Sequence, residues 1–352
     1  MRNKFVLIQL YGGMDGLSAL LPDNHDALKI RRPALLADNY LDTSSGFAFH
    51  PHLTTLHQLF QNRELSFLNA CGLPVQSRSH FKSQDMLETG KLSPFARKGW
   101  LAEILNEIPD TSEAVCYGHR APLILKGTKK FFNWSSPKVM EEDYRLMRSL
   151  KTLYQNEPLL ETLPKKIERI EDLLGGFTDK RRDDDQFELI GKMLARKDGP
   201  NIGVIGFEHW DTHEDQNKKI NTLFPALDRG ISTLRARMEN VWDNTIILIV
   251  SEFGRTVSAN GTRGTDHGTG GLSFVLGGAV KGGSSLGTWP GLDEEDLFEG
   301  RDLKPVHDIR LLFAKIANTH FGLDKSYIQN DLFPILPKPV DTLDFIRSRH
   351  FV

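Results

Sequence analysis

Five short runs of apolar, mostly β-branched or aromatic residues punctuate the chain, at positions 5–11, 65–71, 201–207, 245–250 and 273–276. Within them apolar residues follow one another instead of alternating with polar ones, as strands do when both faces of a sheet are covered. Between the third and fourth runs the pattern changes period. Ile220, Leu223, Phe224, Leu227, Ile231, Leu234, Met238 and Val241 recur at steps of three and four, which predicts an amphipathic helix over about 215–241. Trp242-Asp243-Asn244 closes it before the next strand. Strand, helix, strand in that order is a βαβ unit. The chain therefore predicts an α/β fold, a three-layer α/β/α sandwich about a largely parallel sheet.

The stretch 141–197 breaks this rhythm. It is charged and rich in Leu, Lys and Glu, and it predicts a helical insertion forming a cap or side layer on a single domain spanning 1–352. The mixed run at 180–185 is a solvated helix start. Glycines crowd 261–291, which must be loops and tight turns.

Composition then removes several classes of function. With 44 basic and 46 acidic side chains the net charge is −2, so no global field draws in nucleic acid or an anionic membrane. Cys71 and Cys116 are the only cysteines, too few for a disulfide scaffold or a Cys-rich zinc site. The apolar run at 5–11 is far short of the roughly 20 residues of a membrane span and lacks a signal-peptide cleavage site. As written, the sequence places the protein in the cytoplasm; removal of an export leader would place it in the periplasm. The pattern sets no oligomeric state.

Candidate chemistry follows the strands. Gly12-Gly13-Met14-Asp15-Gly16 comes after the first run and Ser77-Arg78-Ser79-His80 after the second. Trp210-Asp211-Thr212-His213 follows the third, and Ser251-Glu252-Phe253-Gly254-Arg255 the fourth, with Thr265-Asp266-His267-Gly268 beyond it. Ligands of open α/β sheets bind outside the carboxyl ends of the strands, so motifs placed this way can converge on one site. Asp15, Asp211, Glu252, His213 and His267 offer three carboxylates and two imidazoles, a donor set suited to Zn²⁺ or Mn²⁺, with Mg²⁺ or Ca²⁺ as alternatives. Ser79, or else Ser77, lies where a helix begins, and its amides favour an anion there. Arg78 and Arg255 could grip the remaining oxygens by forked hydrogen bonds. Each residue also has a plain structural use: Asp15 as a turn or cap, Ser79 as an N-cap, Asp266-His267 as a turn. His50, His52 and His57 share no ligand spacing and read as structural, as does His209.

Taken in order, Gly-Gly-Met-Asp-Gly-Leu, Ser-Arg-Ser-His-Phe, Trp-Asp-Thr-His, Ser-Glu-Phe-Gly-Arg-Thr and Thr-Asp-His-Gly resemble a bacterial domain-of-unknown-function family (DUF1501), as do Gly-Gly-Ala-Val-Lys-Gly-Gly and Leu-Gly-Thr-Trp-Pro-Gly-Leu. That family is similar in turn to the alkaline phosphatase and sulfatase superfamily. The resemblance implies an alkaline-phosphatase-like sandwich, with Asp15 as a first metal carboxylate and Ser79 as nucleophile. It implies Asp211, His213 and His267 as ligands of one metal and Glu252 as the carboxylate of another. Phe253 stands where the superfamily has a second ligand, so either His80 compensates or a single ion binds: one or two divalent ions in all. No Cys-x-Pro-x-Arg motif is present, which disfavours the formylglycine route of sulfatases. The implied function is metal-dependent hydrolysis of a small phosphate or sulfate ester by a serine at a helix N-terminus. The reading from another class is a non-catalytic ligand- or protein-binding member with an incomplete metal site. On the hydrolase reading, Asp15→Asn loses an ion whereas Ser79→Ala keeps it.

Overall fold

The consecutive apolar runs become the middle of one sheet. The structure, a computed structural model, describes residues 3–109, 111–117, 121–134 and 185–347. Among these, eight strands pair in one sheet: β1 (Lys4–Leu10), β2 (Leu65–Gly72), β3 (Ala114–Tyr117), β4 (Phe131–Trp134), β5 (Ile202–Phe207), β6 (Thr245–Val250), β7 (Gly271–Leu276) and β8 (His307–Asp308). Their spatial order is β8–β2–β7–β6–β1–β5–β3–β4. β1 lies parallel between β5 and β6, with Leu7 opposite both Val204 and Leu248. β7 runs antiparallel to β2 and β6.

Because side chains alternate across a strand, each run supplies two cores at once. Val6, Ile8 and Leu10 join Ile205, Ile247, Ile249 and Phe274 on one face. There they meet α1 (Thr54–Gln61), α4 (Asp185–Ala195) and α5 (Gln216–Arg237). Phe5 and Leu7 join Val204, Leu248 and Val250 on the other, against α2 (His80–Thr89), α3 (Trp100–Glu107) and α6 (Arg310–Lys315). The result is the three-layer sandwich that the sequence predicts. Each such buried side chain contributes about 1.5–3 kcal/mol against exposure. Polar residues tie the layers as well: the Asp228 carboxylate on α5 accepts the N–H groups of Thr55 and Leu56 at the start of α1, at 2.9 and 3.1 Å.

The differences from the sequence expectation have physical reasons. The helix expected over 215–241 ends at Arg237, and Val241 and Trp242 sit on a following 3₁₀ segment, Glu239–Asn244. The run at 273–276 starts two residues earlier, where Gly271 carries no side chain to register a pattern. β3, β4 and β8 have four, four and two residues, too few to display a period. Of the expected insertion at 141–197, residues 141–184 lie outside the described residues, among them 180–184 of its charge run. Its described end, α4, packs on α5 and β5: Phe187 and Ile190 press on Gly230 and Gly203, where a Cβ would come within 2.7 and 2.5 Å of them. No helix among the described residues is long and apolar enough to cross a membrane.

His50, His52 and His57 serve packing. The His50 ring lies 4.9 Å from that of Phe224 and burial pushes its pKa down to about 4, while His57 Nε2 lies 2.9 Å from the Asp42 carbonyl. Cys71 and Cys116 are unpaired and buried, and burial pushes both thiols up to about 12. A thiol needs its thiolate to react. Ellman's reagent should therefore find no reactive thiol in the native protein and two after denaturation in guanidinium; rapid native labelling would contradict this packing.

Candidate metal centre

β1, β5 and β6 are neighbours with a common direction, so the segments after them leave the sheet together. The backbone after β1 turns sharply at Gly12, whose φ of +125° suits glycine. It packs so closely on the next loop that a Cβ there would lie 2.3 Å from the amide nitrogen of Asp211. Arg255 fastens the segments to one another. Its guanidinium, 0% exposed, donates from Nε to the Gly13 carbonyl (2.7 Å) and from Nη1 to that of Thr265 (3.0 Å). From Nη2 it reaches the carbonyls of Gly12 and Trp210 and the carboxylate Oδ1 of Asp211, the last at 2.5 Å. The sequence offers Arg255 as a group that grips substrate. Buried and fully engaged, it is a clamp for the loops instead.

Around the held Asp211 three imidazoles converge. Its Oδ1 lies 3.1 Å from His213 Nε2 and 3.2 Å from His267 Nε2, and its Oδ2 lies 3.6 Å from His80 Nε2. His213 Nε2 and His267 Nε2 are 2.9 Å apart. His80, Asp211 and His267 each present a ligand atom within 4.8 Å of the others. The far nitrogen of each ring has an acceptor of its own. His80 Nδ1 meets Glu252 Oε1 at 2.8 Å, His213 Nδ1 meets Asp266 Oδ1 at 3.1 Å, and His267 Nδ1 meets the Arg78 carbonyl at 2.8 Å. Carboxylates and carbonyls only accept, so each outer partner favours a proton on Nδ1, while Asp211 Oδ1 is itself an acceptor facing Nε2 of His213 and His267; an ion at Asp211 would let those Nε2 atoms bind as lone pairs. His80 Nε2 is buried with no hydrogen-bond partner.

Ring nitrogens facing one another beside a carboxylate offer a donor set for a cation. Burial, with the charge of Arg255, holds the His267 pKa below its ordinary value, although the Arg78 carbonyl and Asp211 pull it upward. Burial works to raise the Asp211 pKa, but the Arg255 guanidinium outweighs it and lowers it, keeping the carboxylate ionised. Asp266 is likewise lowered, first by Asn260 and then, against burial, by His213. Imidazoles together with one carboxylate suit Zn²⁺ well and Mg²⁺ or Ca²⁺ poorly. Outer acceptors on the ring N–H groups are the usual means of orienting histidine ligands.

The other sequence candidates lie elsewhere. Glu252 does not enter the shared space: its oxygens accept the Gly12 and Gly13 amides, Gln84 Nε2 and His80 Nδ1, at 2.8–3.3 Å, and it stands behind His80. Asp15 is absent from the group around Asp211, because its Oδ2 is bound to Arg32 at 2.6 Å. The Arg78 side chain turns to Asp302 and Glu299, both at 2.7 Å, and only its carbonyl serves the centre. Ser79 is the N-cap residue of α2, half-buried, with a hydroxyl that makes no capping hydrogen bond. Ser77 Oγ accepts the Ser79 amide at 3.2 Å. Phe253 packs its ring 4.9 Å from the centroids of both His80 and His267. Sequence reasoning missed Asp266 as the acceptor for His213, with only its place beside His267 to suggest it. Gln84 carried a clearer signal: one helical turn from His80, it shares that face of α2 and the same carboxylate.

Residues 165–332, which hold Asp211, His213, Glu252 and His267, match a family described as a protein of unknown function, DUF1501, the family that the motifs resemble. No curated protein matches the chain. Several solved structures are similar to it over much of the chain. Ps i-CgsB in complex with k-i-k-neocarrahexaose superposes with a TM-score of 0.40 at 11% identity, over 81% of this chain and 68% of that one. A protein in the alkaline phosphatase superfamily from Vibrio parahaemolyticus gives 0.39 at 13%, over 78% and 60%. A putative sulfatase from Bacteroides thetaiotaomicron gives 0.38 at 8%, over 80% and 65%. Likenesses of this strength leave the reading of the site to its own geometry.

Removing the buried clamp strands the carbonyls that it satisfies. Arg255→Met should cost about 3–5 kcal/mol in urea unfolding, as loss of one partner from a buried charged network does. A cost below about 1 kcal/mol would mean that the loops hold their positions without it.

Proposed function

We propose that the protein is a metal-dependent hydrolase of small anionic esters, phosphate or sulfate, with His80, His213, His267 and Asp211 as the ligands of its ion. The observation that carries the reading is the facing pair of Nε2 atoms, 2.9 Å apart and each about 3 Å from Asp211 Oδ1. A divalent ion bound there supplies Lewis acidity toward a phosphoryl or sulfuryl oxygen and toward a hydroxyl. The chain supplies position. Arg255 fixes Asp211, while Glu252, Asp266 and the Arg78 carbonyl fix the three rings. Ser79 lies between the residue whose carbonyl orients His267 and the residue whose ring faces Asp211. Its hydroxyl is not committed to the helix, and the first-turn amides of the ten-residue α2 lack a side-chain cap, so an anionic group would be favoured there. Asp211 is 46% exposed, which leaves the centre open to a small substrate.

One observation favours a non-catalytic, binding member: both arginines expected to hold substrate oxygens are engaged within the fold. Turnover separates the two readings. Aryl phosphate mono- and diesters and aryl sulfates should be offered with Zn²⁺, Mn²⁺ or Mg²⁺ to wild type, Ser79→Ala and His213→Ala. Wild type should turn over at least one ester, Ser79→Ala should fall by about three orders of magnitude or more while retaining metal, and His213→Ala should lose both metal and activity. Activity that survives in Ser79→Ala would remove the serine from the reaction. Bound metal without turnover on any ester would leave the binding reading.

A further inference from the structure

The family resemblance implies one ion or two, and the surroundings of Asp15 decide the number. Asp15 is the carboxylate that a second ion would need, and its charge is already answered. Its Oδ2 accepts from Arg32 Nη1, Gln216 Nε2 and Ser18 Oγ, each at 2.6 Å. The Arg32 side chain is 0% exposed and is anchored by donation to the carbonyls of Val257 (2.8 Å) and Thr256, so the guanidinium cannot swing away. Asp15 Oδ1 is buried and has no hydrogen-bond partner, which makes it the one oxygen left for an ion. A divalent cation brought to it would enter a dry site beside a fixed positive charge, where repulsion is poorly screened.

The approach from the imidazoles is filled as well. The Phe253 ring lies against both His80 and His267, and it sits so close to Gly13 that a Cβ there would be 2.5 Å from its Cε2. Phenylalanine offers no donor atom. Glu252 faces four N–H donors and has no bare oxygen to turn toward an ion. Among the described residues, His80, Asp211 and His267 present ligand atoms all within 4.8 Å of one another; His213 is outside that set but its Nε2 touches both Asp211 and His267, whereas Asp15 is outside it and held by Arg32.

We infer that this chain takes one ion and not two, with Arg32 as the permanent cation on Asp15 and Phe253 filling the remaining ligand place. The inference rests on the metal-dependent reading above. It reverses the sequence expectation for Asp15→Asn, because Asp15 holds Arg32 and not an ion.

The test is a count of ions in the purified full-length chain. The protein is loaded with excess Mn²⁺ or Zn²⁺, desalted and analysed for metal, and the Mn²⁺ form is also examined by electron paramagnetic resonance. Wild type should hold one ion per chain and show an isolated Mn²⁺ spectrum without exchange coupling. Asp15→Asn strands a buried guanidinium and should lower the Tm. The double variant Asp15→Asn/Arg32→Gln removes both charges together, should recover most of that loss and should still hold one ion. Two ions in wild type, or an exchange-coupled pair, would overturn the inference and leave the hydrolase reading standing. Loss of the ion from the folded double variant would overturn it too. No ion in wild type would defeat the metal-dependent reading and this inference with it, a result distinct from two. Should the variants fail to fold, the wild-type count and spectrum decide alone.

Discussion

A single guanidinium joins segments that the chain supplies from three places. Arg255 follows β6, yet it donates to backbone carbonyls after β1, after β5 and in the loop before β7, and to the carboxylate of Asp211. Backbone carbonyls buried at the ends of parallel strands need donors, and water cannot reach them here. A charged fork with five N–H groups answers several at once, and the same fork holds Asp211 ionised among the imidazoles. The position of every proposed ligand except His80 depends directly on loops that this one side chain fastens.

The acidic residues divide by what answers their charge. Asp211 is half-exposed and shared between Arg255 and three imidazoles, which leaves it able to ligate. Glu252 and Asp266 stand one bond further out, each holding the Nδ1 side of a histidine ring. Asp15 and Asp302 are tied to arginines, Arg32 and Arg78, and belong to the scaffold. Burial and partner decide among these roles. The number of carboxylates in a motif does not.

The fold is legible in the sequence because the central strands are buried on both faces, and a six-residue strand such as 245–250, apolar from Ile246 to Val250, is too short for a helix of this core. Short edge strands and the 3₁₀ close of α5 carry no period and were illegible. Convergence of the loop motifs was legible from their common place after the strands. The direction of each side chain was not. Nothing near Arg78 announces Asp302, and nothing near Asp15 announces Arg32, 17 residues on and outside any motif. The acceptor for His213 lies 53 residues away, and only the folded loop brings it into reach. Phe253 was legible as a lost ligand, but its contact with two imidazoles emerges only in the folded chain.

The central claim is that three imidazole Nε2 atoms and Asp211 surround an ion. Anomalous diffraction at the zinc edge, from crystals grown with Zn²⁺, tests it most directly. The account predicts one peak per chain, about 2.0–2.2 Å from Nε2 of His80, His213 and His267 and from an oxygen of Asp211. A peak on Asp15, or zinc absent from this cluster while it binds elsewhere on the chain, would contradict it.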